Sequence, residues 1–324
     1  MKAVVVTELG KPPVLQDVPE PERADGEALL EILAAPINPV DLGVASGRFF
    51  GGSPPLPYVA GAEAVGRVLE SEAHPEGTLV WTGMHGLGIT RTGVMAERGL
   101  ARDDGIVPVP DDVDPALAAS LGIAGLAGWL PLEWRAPVRD GETVLVLGAT
   151  GTLGLVAVQA AKILGAGRVV AAGRRPEGLE RARRAGADAT VQLNGAENLA
   201  EELKEACGGD GPNVILDPLW GDPVVAALQA AAPGARVVQV GQSAGADAAI
   251  PSGSVRGKML DILGYTNLRL DFDVLAPGYR TLVSHAAAGR IQIDLERVPL
   301  DQAIEAWQRQ AAGPDTKLVV IPGL

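Results

Sequence analysis

The chain has 324 residues, enough for about two domains of ordinary size. Hydrophobic residues make up 47% and aromatic residues only 3%, so a full core is available but must be built mainly from Ala, Val, Leu and Ile. A formal net charge of −13 excludes a protein that tracks nucleic-acid phosphates with an electropositive face, though not a local basic pocket.

Through the first third, Val-, Leu- and Ile-rich runs at 2–7, 28–35, 64–70, 78–82 and 93–101 predict strands, punctuated by Gly and Pro. Asn38 and Pro39 open a short helix over 38–46, with Asn38 placed to cap it. The texture changes near Asp114. Ala and Leu then dominate through Leu132 and predict two helical pieces broken at Gly122. From Glu142 strands and helices alternate. Strands are predicted at 143–147, 168–172, 189–193, 213–217, 236–241 and 259–265, and helices at 152–164, 176–185, 196–206 and 222–231. That rhythm predicts a parallel sheet covered on both faces, an α/β doubly wound fold. After Tyr265 come a helix at 274–288, a strand at 296–300, a helix from Asp301 as N-cap to Ala311, and a last strand at 317–321.

One cysteine, Cys207, cannot form an intrachain disulfide and points to a reducing, cytoplasmic compartment. Cys207 and the three histidines (His74, His85, His285) lack metal-ligand spacing, so no metal is expected. The opening MKAVVVTELG has a short apolar run cut by Glu8 and does not read as a secretory signal. Two uncharged stretches, 115–132 and 144–161, approach membrane-span length. Their glycines favour buried elements of a soluble protein, and no membrane partner is expected.

The strongest motif lies between the predicted strand at 143–147 and the helix at 152–164. The loop reads Gly148, Ala149, Thr150, Gly151, Thr152, Leu153, Gly154. Gly151 lets backbone N–H groups approach a pyrophosphate, Gly154 lets the helix pack on the strand, and the helix N-terminus faces the phosphates. The second strand ends Ala172-Gly173-Arg174-Arg175. A site for NAD usually places a carboxylate there for the ribose 2′-OH. Here two guanidiniums stand ready for a 2′-phosphate instead, which favours NADPH. Gly241, Gln242 and Ser243 follow the fifth strand and are expected at the nicotinamide end.

GATGTLGLVAVQAAKILGAG followed by RRAGAD resembles the cofactor domain of the medium-chain dehydrogenase/reductase superfamily. INPVDLGVASGRF and PLPYVAGAEAVGRV are similar to its zinc-free quinone oxidoreductase branch, as are GETVLV at 141–146 and the terminal KLVV. The resemblance implies a GroES-like β-rich catalytic domain from 1–122 and 267–324, a Rossmann domain from 123–266, and a cleft at their junction for the nicotinamide. It also implies a homodimer joined through the last Rossmann strand. Zinc-dependent relatives carry Cys where Asn38 stands and His where Ala62 stands. Many quinone reductases carry Tyr at the position of Gly43 and Thr at that of Ala127, so two hydroxyls of the family are missing here.

Hydride transfer to a quinone or enone needs a hydrogen-bond donor near the oxygen where charge builds. The resemblance places Asn38 in the cleft as first candidate, with helix capping as its structural alternative. Tyr265 and Asn267 follow the sixth Rossmann strand, at the carboxyl edge where ligands bind. The expected activity is NADPH-dependent reduction of a small quinone or conjugated carbonyl. An enoyl-thioester or alkene reductase and a non-catalytic NADPH sensor are the alternatives.

Overall fold

The computed structural model describes residues 1–195 and 197–324. In chain order the elements begin with β1 (Lys2–Val6), β2 (Val14–Asp17), β3 (Glu27–Pro36), α1 (Pro39–Ala45), β4 (Tyr58–Val59), β5 (Val65–Glu70), β6 (Leu79–Trp81), β7 (Arg98–Arg102), β8 (Val107–Pro108) and α2 (Pro115–Ser120). The middle of the chain supplies α3 (Leu126–Leu130), β9 (Thr143–Leu147), α4 (Thr152–Ile163), β10 (Arg168–Gly173), α5 (Pro176–Arg184), β11 (Ala189–Gln192), α6 (Leu199–Ala206) and β12 (Val214–Asp217). It continues with α7 (Gly221–Ala230), β13 (Arg236–Gln239), α8 (Ser252–Arg256) and β14 (Asp261–Gly264). The last elements are α9 (Phe272–Ala287), β15 (Leu295–Pro299), α10 (Ala303–Ala311) and β16 (Lys317–Ile321). The first residue of the helix predicted at 196–206 lies outside the described residues.

The chain divides into two compact units. One comprises Met1–Ala124, Leu268–Ala287 and Ile293–Leu324; the other comprises Gly125–Asn267 and Ala288–Gln292. These divisions fall within two residues of the expected 122/123 and 266/267, and the structure adds the short return Ala288–Gln292. It joins the second unit because Gln159 on α4 bonds it twice. Gln159 Nε2 donates to Gln292 O at 2.9 Å, and Gln292 N–H donates to Gln159 Oε1 at 2.8 Å.

The first unit is β-rich. A seven-stranded sheet runs β15-β16-β3-β5-β6-β8, with β7 paired to β3, and a three-stranded sheet runs β2-β1-β4. β3 forms its centre because its ten residues alternate inward apolar side chains, including Leu30, Ile32 and Ala34, all buried. β16 pairs antiparallel with the end of β3, Val319 opposite Pro36 and Val320 opposite Ala35. This register carries Lys317 to the turn that starts α1. The strand expected over 93–101 is regular only from Arg98. Before it the chain crosses tightly over residues 60–61, where Met95 N–H donates to Ala60 O and a Cβ on Gly93 would lie 2.3 Å from Gly61 O.

The second unit is a six-stranded parallel sheet, β11-β10-β9-β12-β13-β14, with helices between the strands. This is the doubly wound order, and its switch point lies between β9 and β12. α4 is buried from Gly154 to Ala161, which explains why small and apolar residues dominate its middle.

The expected break at Gly122 is absent. Helical turns run through Pro115–Arg135, with π-helical turns at Leu121–Gly125 and Pro131–Arg135. This stretch is long and apolar enough to cross a membrane, but 78% of its apolar window is buried inside the protein, so packing accounts for its composition. Asp301 lies within a 3₁₀ turn, Leu300–Gln302, and Gln302 takes the N-cap position of α10 expected for Asp301.

Candidate active site

The loop after β9 has the geometry of a dinucleotide cradle. Gly148 takes φ +61, and Pro218 and Leu219 after β12 crowd it. A Cβ on Gly154 would fall 2.4 Å from Gly148 O, so α4 reaches the loop only with glycine there. A Cβ on Gly151 would meet nothing within 4 Å. The open side of the loop is therefore at Gly151, the N-cap of α4, where the first-turn N–H groups and the helix dipole favour an anion. Ala149 is buried, and its N–H donates to Ala172 O at 3.0 Å, tying the loop to β10. Thr152 and Leu153 form the first turn of α4. This arrangement fits a dinucleotide pyrophosphate.

Thr150 packs beneath the end of the second strand. A Cβ on Gly173 would come within 2.5 Å of Thr150 Cγ2. Arg174 and Arg175 follow, both exposed, with Arg175 as N-cap of α5.

Across the switch point, Asp217 ends β12. Its Oδ1 accepts the Leu219 and Trp220 N–H groups at 2.9 Å each, holding a turn in which Trp220 has φ +58. Burial raises its pKa. The loop of Gly241, Gln242 and Ser243 is braced internally and bonded to this turn through Ser243. Gln239 Nε2 donates to Gly241 O at 2.8 Å, Gly245 N–H to Gln242 O at 3.2 Å, and Ser243 Oγ to Pro218 O at 3.2 Å. A Cβ on Gly241 would lie 2.8 Å from Pro218 O.

Tyr265 and Asn267 lie together in the second unit, both buried. The Tyr265 hydroxyl donates to Asn267 Oδ1, and burial pushes its pKa up. It lies 3.4 Å from Leu126 O. The expectation of a substrate-facing phenol gives way to an internal bond that keeps its proton.

The first unit holds a buried polar cluster that the sequence reading missed. Asn38 is fully buried, and its side chain is engaged at both ends. Oδ1 accepts from Lys317 Nζ at 2.5 Å, and Nδ2 donates to Glu63 Oε1 at 2.9 Å. Lys317 also donates to Ile37 O at 2.9 Å. Glu63 Oε2 accepts from Trp81 Nε1 at 3.0 Å and Ile123 N–H at 2.8 Å. Asp41 accepts from Asn38 N–H at 2.7 Å and Ala62 N–H at 2.9 Å, so the carboxylate at the third helical position serves the start of α1. The amide expected to face substrate instead joins Glu63 to Lys317. A single charged residue inside each apolar run, GAEAVG and KLVV, was the available signal.

Burial dominates the electrostatics of this cluster. It raises Glu63 to about 7 and Asp41 to about 6, against the pull of Lys317 and the donated hydrogen bonds. It lowers Lys317 to about 8, opposed by the two carboxylates. The donor set does not fit zinc. Where zinc-dependent relatives have Cys and His stand Asn38 and Ala62, and the Lys317 ammonium already occupies the Asn38 oxygen. Among the described residues no three His, Cys, Asp or Glu side chains cluster as ligands.

Two family models match successive parts of the chain. Residues 24–111 match the alcohol dehydrogenase GroES-like domain, and residues 152–276 match the zinc-binding dehydrogenase family. Quinone oxidoreductase-like protein 2 of Rattus norvegicus is 29% identical over 321 residues, spanning 96% of this chain and 90% of its own. Quinone oxidoreductase of Homo sapiens is 32% identical over 249 residues, spanning 74% and 73%. A mycobacterial protein solved in complex with NADPH aligns with a TM-score of 0.87 at 26% identity, covering 99% of this chain and 100% of that one.

Proposed function

This chain belongs to the quinone oxidoreductase-like branch of the medium-chain dehydrogenase/reductase superfamily, and we propose that within it the protein is a zinc-independent, NADPH-dependent reductase of quinones or related conjugated carbonyls. It is an oxidoreductase of an α/β fold that binds a nicotinamide cofactor. When bound, the nicotinamide supplies the hydride.

The observation that carries the cofactor choice is the end of β10. Gly173 is followed by the exposed Arg174 and Arg175, at the positions where a carboxylate would accept from a ribose 2′-OH. In this reading the open face at Gly151 receives the pyrophosphate, the two arginines receive the 2′-phosphate, and the loop at Gly241, Gln242 and Ser243 borders the nicotinamide. A quinone suits the chain because it needs no metal to polarise it. The Asn38 amide and the Tyr265 hydroxyl are committed to protein partners. The single, buried Cys207 suits a reducing cytoplasmic setting.

Steady-state oxidation of NADPH and NADH against a panel of quinones, enones and enoyl thioesters tests the proposal. The expected result is quinone-dependent NADPH turnover that chelators leave intact. Turnover confined to enoyl thioesters, or none with any acceptor, overturns it.

A further inference from the structure

We propose that Arg181, in the middle of α5, is a third cation reading the 2′-phosphate of the cofactor, alongside Arg174 and Arg175. The inference rests on the NADPH reading and adds a residue to it. It starts from Thr150, whose side chain is wedged between two glycines. A Cβ on Gly173 would come 2.5 Å from Thr150 Cγ2, and one on Gly178 would come 2.6 Å from Thr150 Cβ. The phosphate loop is thereby clamped against both the end of β10 and the first turn of α5. Gly178 itself puts no side chain over the loop. The next residue on the same helix face is three positions on, at Arg181.

Arg181 does reach back. Its Nη2 donates to Thr150 O at 3.4 Å, a long bond at a half-buried position. A phosphate oxygen is a far stronger acceptor for a guanidinium than a neutral carbonyl. The rest of the helix does not share this aim. Arg183, two residues on, donates to Thr190 Oγ1 through Nε at 3.2 Å and Nη2 at 2.8 Å, towards β11. The helix is therefore not basic by composition alone: Arg181 faces the phosphate loop and Arg183 faces away.

Fluorescence titration of NADPH and NADH onto wild type, Arg181→Ala, Arg181→Gln and Arg183→Ala tests the assignment. Competition by 2′,5′-ADP and by 5′-ADP provides a second readout. Losing one charge-assisted bond to phosphate is expected to weaken NADPH and 2′,5′-ADP roughly tenfold in both Arg181 variants. NADH and 5′-ADP should change less than about twofold, and Arg183→Ala should behave as wild type. If wild type prefers NADPH and neither Arg181 variant loses that preference, the role of Arg181 is wrong and the NADPH reading stands. Equal loss for both cofactors also overturns it, because Arg181 then only supports the loop. Equal affinities of wild type for the two cofactors overturn the NADPH reading itself, and this inference with it.

Discussion

Gly122 carries no side chain because the Glu63 carboxylate sits where one would begin: a Cβ there would lie 1.8 Å from Glu63 Oε2 and 2.5 Å from Trp81 Nε1. The helical segment passes over a buried charge at van der Waals contact, and Ile123 N–H donates to that charge. Gly122→Ala should therefore destabilise the fold by about 1–3 kcal/mol, the usual cost of overpacking a tight site, although Ala is the better helix former. Denaturant titration checks this. A variant as stable as wild type would mean that Glu63 moves away at no cost.

Glu63 also makes stability depend on pH. Burial holds its pKa near 7 in the folded chain against 4.5 ordinarily. Between those values the folded chain retains a proton that the unfolded chain has released, so this contribution to stability falls as pH rises from about 4.5 to 7. Asp41, raised from 3.8 to about 6, acts in the same direction. Lys317, lowered from 10.5 to about 8, contributes with opposite sign and mainly above pH 8. Glu63→Gln should flatten the decline between pH 5 and 7. Parallel profiles for the two proteins would show that Glu63 does not titrate there.

Asn38→Asp separates the two readings of that residue. A substrate-facing Asn38 would lose turnover and keep its stability. The observed cluster instead places a third carboxylate beside Glu63, which loses its amide donor. Breaking a buried, paired charge network typically costs about 3–5 kcal/mol. The variant should melt well below wild type at pH 8 and closer to it at pH 5, where the carboxylates can protonate. Unchanged melting at both pH values would return Asn38 to the substrate.

No zinc should copurify. Elemental analysis of protein prepared without added metal should give far less than one equivalent. Stoichiometric zinc would require Lys317 to have left the Asn38 oxygen and a different donor set to have formed.

The edge strand β14 should join two copies into a homodimer. It ends the Rossmann sheet, and Ile262 on it is exposed, with Met259 just before it 76% exposed. Sedimentation at micromolar concentration should show a dimer, and Ile262→Lys should shift it towards monomer. A wild-type monomer under those conditions would refute the assembly.

The sequence by itself determined the first half of the second unit closely, though not α8 (Ser252–Arg256) or the start of α6. β9, α4, β10 and α5 lie within a residue of their expected bounds. Their signals are local: apolar runs of strand length, a glycine loop that only one backbone path satisfies, and a proline opening α5. It also determined that Cys and His ligands are missing at Asn38 and Ala62, since that depends only on residue identity. The tertiary structure alone decided what Asn38 does. Its partners are Glu63 and Lys317, and Lys317 is 279 residues away in the chain. The pairing of β16 with β3 brings it there. The same holds for Gly122, which reads as a helix breaker until the carboxylate beneath it is seen. It holds too for Arg181 and Arg183, alike in sequence and divided by the direction each side chain takes from α5. Periodicity reports which face of an element is apolar, whereas the partner of a buried polar group depends on which distant strand lands beside it.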